Sequence, residues 1–246
     1  TFPLERIFKE VRRALSQGLE EIVFLDPCFS RRPNLGALLE GLATCNPERR
    51  LHVHAECNVE TIDQDMAEKM AQAGFVQLEV GLQSMNRSTL RNIHRTFHPD
   101  RFMQGVRFLQ NCGIEVMVDL IAGLPGDRLS DVCDSLDWVI DHEAYDYLML
   151  YPLSLIPGTE LHQRASEFGL CAMPNPPYLV TRSPTLTALQ MNQAFHYYEE
   201  SMEEEVAPLE MPPFLDASLG HLALPMGLRY RVDWNRPEEI ETLSHS

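Results

Sequence analysis

An α/β fold with parallel strands is predicted from three features of this 246-residue sequence. Short apolar strands alternate with amphipathic helices, the helix–strand unit recurs about every 30 residues, and glycine or proline marks the ends of the units. Alternation of this kind implies parallel strands joined by right-handed crossovers.

Leu4, Ile7, Phe8, Val11 and Leu15 fall at helical spacing, and Gly18 sits where that helix stops. Ile22 to Leu25 form a compact apolar strand ended by Asp26 and Pro27. Leu35 to Leu42 suggest a helix, and Leu51 to Cys57 a strand of alternating polarity. Residues 61–73 read as an amphipathic helix closed by Gly74, and Val76 to Val80 as a strand. A short helix at 88–93 and a longer one at 100–112 follow, the second stopped by Gly113. The strand Ile114 to Ile121 runs into Gly123-Leu124-Pro125-Gly126. Residues 128–142 are helical, Tyr147 to Leu153 a strand, and Thr159 to Phe168 a helix. Five such strands build either an open doubly wound sheet or part of a barrel. The opening helix points to a strand before it, which makes a six-unit arc the natural completion.

The last third differs. Pro174 to Pro177 punctuate the chain, and a helix rich in Met, Phe and Tyr spans about 185–206. Its acidic end, Glu199, Glu200 and Glu203 to Glu205, reads as a solvated face, and beyond Pro208 periodicity is lost. Residues 1–168 are therefore expected to form the α/β unit, and 169–246 an irregular and helical extension or the start of a further domain.

Composition narrows the function. The chain is 44% hydrophobic and 23% charged, as expected for a globular protein with a sizeable core. Its formal net charge of −16 repels phosphate backbones, so a nucleic-acid partner is disfavoured. No apolar run approaches the length of a membrane span and no signal peptide is evident, so a cytoplasmic location with reduced cysteines is expected. The six cysteines, at 28, 45, 57, 112, 133 and 171, show no metal-ligand spacing.

Parallel α/β folds bind ligands at the C-terminal ends of their strands. That rule selects Asp26; His54 and Glu56; Glu79, Gly81, Gln83 and Ser84; Asp119 and Gly123; and Tyr151 with Pro157-Gly158-Thr159. Singly, such residues have ordinary explanations: a carboxylate caps a helix, a glycine makes a turn, a histidine is bonded within the core. Their convergence is the signal, because four consecutive strands bring a carboxylate or amide to one rim.

These residues carry a resemblance. Glu79-Val80-Gly81-Leu82-Gln83-Ser84 with Leu90-Arg91-Asn92-Ile93-His94-Arg95 resembles the fourth-strand region of radical S-adenosylmethionine (SAM) enzymes. Asp119 to Gly126 resembles their fifth-strand segment, and Pro157-Gly158-Thr159 their sixth-strand turn. The similarity covers about residues 3–165 and is closest to the branch of oxygen-independent coproporphyrinogen oxidase, methylthiotransferases and cobalamin-binding members. It implies a partial TIM-type (β/α)6 barrel, here strands 2–6 with the first absent, that holds SAM and a 4Fe–4S cluster. In the family, the reduced cluster cleaves SAM to a 5′-deoxyadenosyl radical for hydrogen abstraction or methyl transfer. A small-molecule substrate and a reducing partner such as flavodoxin or ferredoxin are implied as well. Cobalamin, as in a tetrapyrrole-cyclase-like enzyme, is left open.

Matched by motif, Glu56, Gln83, Arg95 and Asp119 are the expected SAM contacts. A carboxylate pair can hold ribose hydroxyls or the amino group, and Arg95 can fork onto the methionine carboxylate. Gly123 would let the backbone approach adenine closely. Asp26, Glu79, Ser84 and Tyr151 line the same mouth. The family's C-x-x-x-C-x-x-C cluster loop has no counterpart here, and no cysteine of this chain is named a cluster ligand. The expectation is a fragment whose cluster loop lies upstream and which is inactive alone. The alternative is a non-catalytic relative that uses the rim as a binding module.

Overall fold

A computed structural model describes residues 2–202. The helices are α1 (Leu4–Ser16), α2 (Leu35–Cys45), α3 (Gln64–Ala73), α4 (Arg87–Asn92), α5 (Pro99–Asn111), α6 (Leu129–Asp141), α7 (Glu160–Gln163) and α8 (Ala188–Ser201). The main strands are β1 (Glu21–Phe24), β2 (His52–Cys57), β3 (Phe75–Gln83), β4 (Glu115–Ala122) and β5 (Tyr147–Pro152). A small hairpin, β6 (Cys171–Ala172) and β7 (Val180–Arg182), follows them. The expected end of the last helix and the region beyond Pro208 lie outside the described residues.

Local chemistry fixes the elements. Asp63 caps α3 by accepting from Met66 N at 2.8 Å, and left-handed Gly74 closes it. Thr187 and Gln190 form a capping box at the start of α8.

The five-stranded sheet runs β1-β2-β3-β4-β5 with every neighbouring pair parallel. Strand order follows chain order with no reversal. A doubly wound sheet reverses at a switch point, so this sheet is instead an arc of a (β/α) barrel. Leu78, Val80, Val116, Val118 and Leu120 point outward and are buried with Val106 and Leu109 of α5 and Leu136 of α6. Each such side chain contributes about 1.5–3 kcal/mol. Met191, Ala194 and Phe195 of α8 join that core, and α8 packs beside α6. The opposite, inner face of the sheet carries the polar residues. There Val23 and Leu25 of the β1 edge are 62% and 90% exposed.

Two expectations need correction. The helix expected over 159–168 is only α7, after which the chain continues in turns, with Glu167 N donating to Arg164 O and Leu170 N to Ala165 O. Leu161, Ala165 and Phe168 pack in a separate small cluster with Leu124, Leu153 and Leu155, which irregular backbone serves as well as a helix. The β6–β7 hairpin was not expected, because strands of two and three residues are too short to show periodicity.

Candidate active site

Side chains alternate along a strand, so the residues beside the outward Val53, Leu78 and Val118 face inward. Register then decides which of them meet. Glu56 of β2 lies opposite Glu79 of β3, and Gly81 of β3 opposite Asp119 of β4. Three carboxyl groups thus gather on adjacent strands near their C-terminal ends. Burial pushes the Asp119 carboxyl well above the usual carboxylate range, helped by its hydrogen bond to Glu79 and the charges of Glu79 and Glu56. Glu56 is raised too, by burial and then by Glu79, with Arg95 pulling the other way.

Arg95 reaches this group from the β3–β4 connection. Helix α4 ends at Asn92, and His94 just beyond it sits in the left-handed region at φ 56° where glycine is usual. The next residue turns back, its N–H donating to Leu90 O at 2.8 Å, while the guanidinium donates to Gly81 O at 3.1 Å. Gln83 is also left-handed, at φ 73°, and follows a slip in the β3–β4 register. A bulge there re-aims the side chain, and such strain gathers at binding sites. The Gln83 amide lies where a β-carbon on Gly81 would stand, and that carbon would also meet Arg95 Nη1 at 3.0 Å. A side chain at Gly81 would therefore displace the Gln83 amide and crowd Arg95, a close approach signalled in the sequence by a glycine inside an apolar strand.

Two buried acceptors here have no hydrogen-bond partner, Oδ1 of Asp119 and Oε1 of Gln83. Their residues are 6% and 9% exposed. At the same end of the sheet, a hollow of about 330 Å³ is lined by Glu56, Gly81, Arg95, Arg31, Cys28 and Cys57 among others.

Glu56, Glu79, Asp119, Gln83 and Arg95 are thus brought together. Tyr151 is on the inner face of β5, paired in register with Ile121 and so one inward position beyond Asp119. Asp26 lies at the mouth but is ion-paired to the buried Arg32 guanidinium at 2.8 Å. Ser84 turns the other way, donating to Asp127 at 3.2 Å and accepting from Asn86 N at 3.1 Å. Gly123 adopts φ 94°, a backbone conformation that favours glycine, and a β-carbon there would lie 3.2 Å from Met191 of α8.

The donor set fits SAM. Its amino group and ribose hydroxyls supply the donors that unpartnered Asp119 Oδ1 and Gln83 Oε1 lack, and its carboxylate suits Arg95. An iron–sulfur cluster is not fitted. It requires several thiolates, whereas no group of three or more metal-ligating side chains converges among the described residues. Cys28 and Cys57 both reach the hollow, but burial pushes the Cys57 thiol up, against thiolate ligation.

The family model for the radical SAM superfamily matches residues 1–139. The chain belongs to that superfamily. tRNA-2-methylthio-N(6)-dimethylallyladenosine synthase of Fusobacterium nucleatum is 25% identical over 170 residues, 64% of this chain and 38% of the relative. Heme chaperone HemW of Mycobacterium tuberculosis is 27% identical over 150 residues, 61% of this chain and again 38% of the relative. The chain therefore spans well under half the length of these relatives. Two solved structures share the fold. The radical S-adenosylmethionine methyltransferase TsrM of Kitasatospora setae, with cobalamin and a 4Fe–4S cluster bound, has a TM-score of 0.61 at 20% identity, covering 82% of this chain and 42% of that one. Coproporphyrinogen III oxidase HemN of Escherichia coli has a TM-score of 0.58 at 16% identity, covering 80% and 46%. No helix among the described residues is long and apolar enough to cross a membrane.

Proposed function

We propose that this chain is the SAM- and substrate-holding part of a radical SAM enzyme. The observation that carries this is the convergence of Asp119, Glu56, Glu79, Gln83 and Arg95 on one rim, with buried acceptors left unpartnered. Arg95 binds the methionine carboxylate, and Glu56 and Asp119 with Gln83 take the amino group and ribose hydroxyls. An ionised Asp119 accepts from these donors more strongly than a protonated one, so SAM binding strengthens as pH rises through the raised range in which Asp119 ionises.

In the complete enzyme, a 4Fe–4S cluster would supply the electron that cleaves SAM. None of this chain's six cysteines has the spacing of the family's cluster loop, so we read the chain alone as holding SAM without cleaving it. The reaction is hydrogen abstraction or methyl transfer on a small molecule, supported by a reducing protein partner in the cytoplasm. Cobalamin-dependent methyl transfer is the narrower form, and the likeness to TsrM that suggests it is one of fold.

A second reading, a non-catalytic relative, is favoured by the similarity to proteins named heme chaperones. Anaerobic reconstitution of the full-length protein with iron and sulfide, then reduction, separates the two. Release of 5′-deoxyadenosine is expected. Its absence from a protein with a complete cluster would leave the binding module.

A further inference from the structure

Behind the Glu56–Glu79 pair, the inner face of the sheet holds a second hollow, of about 210 Å³. His54 and Gln77 face each other there, two residues before Glu56 and Glu79 on the same strands and so deeper in the arc. Met117 forms its floor, and Val23 and Leu25 give it an apolar wall. Nε2 of His54 is buried without a partner. In the tautomer protonated on Nδ1 it is an acceptor.

The charges on this lining are one-sided. It includes Asp26, Glu56 and Glu79 and neither arginine nor lysine. Asp26 is already neutralised by Arg32, and Arg95 is bonded to Gly81 O at the mouth. Glu79 therefore faces the hollow with no arginine or lysine in its lining, while Glu56 also feels Arg95 from the mouth, and such surroundings repel an anion and attract a positive group.

We propose that this hollow seats the substrate and selects a protonated amine on a short apolar stem. The ammonium donates to Glu79 and to His54 Nε2, while the stem lies against Val23, Leu25 and Met117. The proposal rests on the reading of the mouth as the SAM site, since Glu56 borders both spaces.

Three probes with one stem test it: n-butylamine, n-butanol and butyrate, titrated by ligand-observed NMR into the full-length protein saturated with S-adenosylhomocysteine. The amine should bind about tenfold or more tighter than the alcohol, and butyrate least, the difference expected of a charge-assisted bond. His54→Ala and Glu79→Gln should each remove about tenfold of amine affinity. His54→Ala should leave S-adenosylhomocysteine affinity unchanged, which separates loss of this subsite from loss of the fold. Binding of butanol or butyrate as tight as the amine, or an amine affinity indifferent to both substitutions, overturns the proposal. Failure of S-adenosylhomocysteine to bind wild type overturns the SAM reading instead. The amine series on the protein without it then decides the hollow by the same two criteria.

Discussion

At the scale of single residues, burial and pairing decide which polar side chains serve a ligand and which serve the fold. Asp119 and Asp127 are both buried carboxyls on the β4 strand and its following turn, yet they differ in what they face. Asp119 faces Glu79 and Glu56 on the inner side of the sheet, whereas Asp127 accepts from Ser84 while its backbone carbonyl accepts from Thr185 at 2.7 Å, tying three connections together. Burial pushes the Asp127 carboxyl up to about 7 from 3.8. Between those values the folded state holds a proton that the unfolded chain has lost, so stability falls as pH rises towards 7 and stays lower above it. At about 1.4 kcal/mol per pKa unit the loss is at most about 4 kcal/mol. An asparagine in place of this acid keeps the Ser84 bond and does not titrate. We expect Asp127→Asn to match wild type in thermal unfolding near pH 4 and to exceed it near pH 8; equal slopes in the two proteins would refute this. The carboxylates of the rim were legible in the sequence, because alternation along a strand assigns faces. The diversion of Asp26 to Arg32 and of Ser84 to Asp127 was not, because those partners come from loops that sequence pattern does not place.

Elements show the same division. Strands β1 to β5 and helices α1 to α6 were readable, since long periodic segments with glycine stops leave little ambiguity. The short α7 and the β6–β7 hairpin were not, because their residues are placed by packing against Leu153 and Leu155. Helix α8 was legible as a helix but not by location. Its Met, Phe and Tyr residues suit a cover over the open barrel or a layer on its outside. The structure chooses the outside, where Tyr197 donates to Asp137 of α6 at 2.6 Å and Phe195 is buried in the main core. Truncating Phe195 to alanine should therefore cost about 3–5 kcal/mol. Denaturant unfolding of the chain checks this, and a cost under about 1 kcal/mol would place α8 outside the cooperative core.

For the whole molecule, the sequential strand order turns an ambiguous α/β pattern into a barrel arc, and the family model matched over residues 1–139 places that arc in the radical SAM superfamily. The two hollows on the inner face have Glu56 and Pro27 in common, so a ligand at the mouth and a group in the deeper hollow would be neighbours across Glu56. What pattern alone could not give is the depth of that space, because register slips such as the one between Gly81 and Gln83 set which side chains meet. The most direct measurement is calorimetric titration of SAM into the full-length protein and its Arg95→Ala and Asp119→Ala variants. Wild type should bind, and each variant should lose about tenfold or more, the cost of one charge-assisted contact. Equal SAM affinity in all three proteins would contradict a mouth built from these groups.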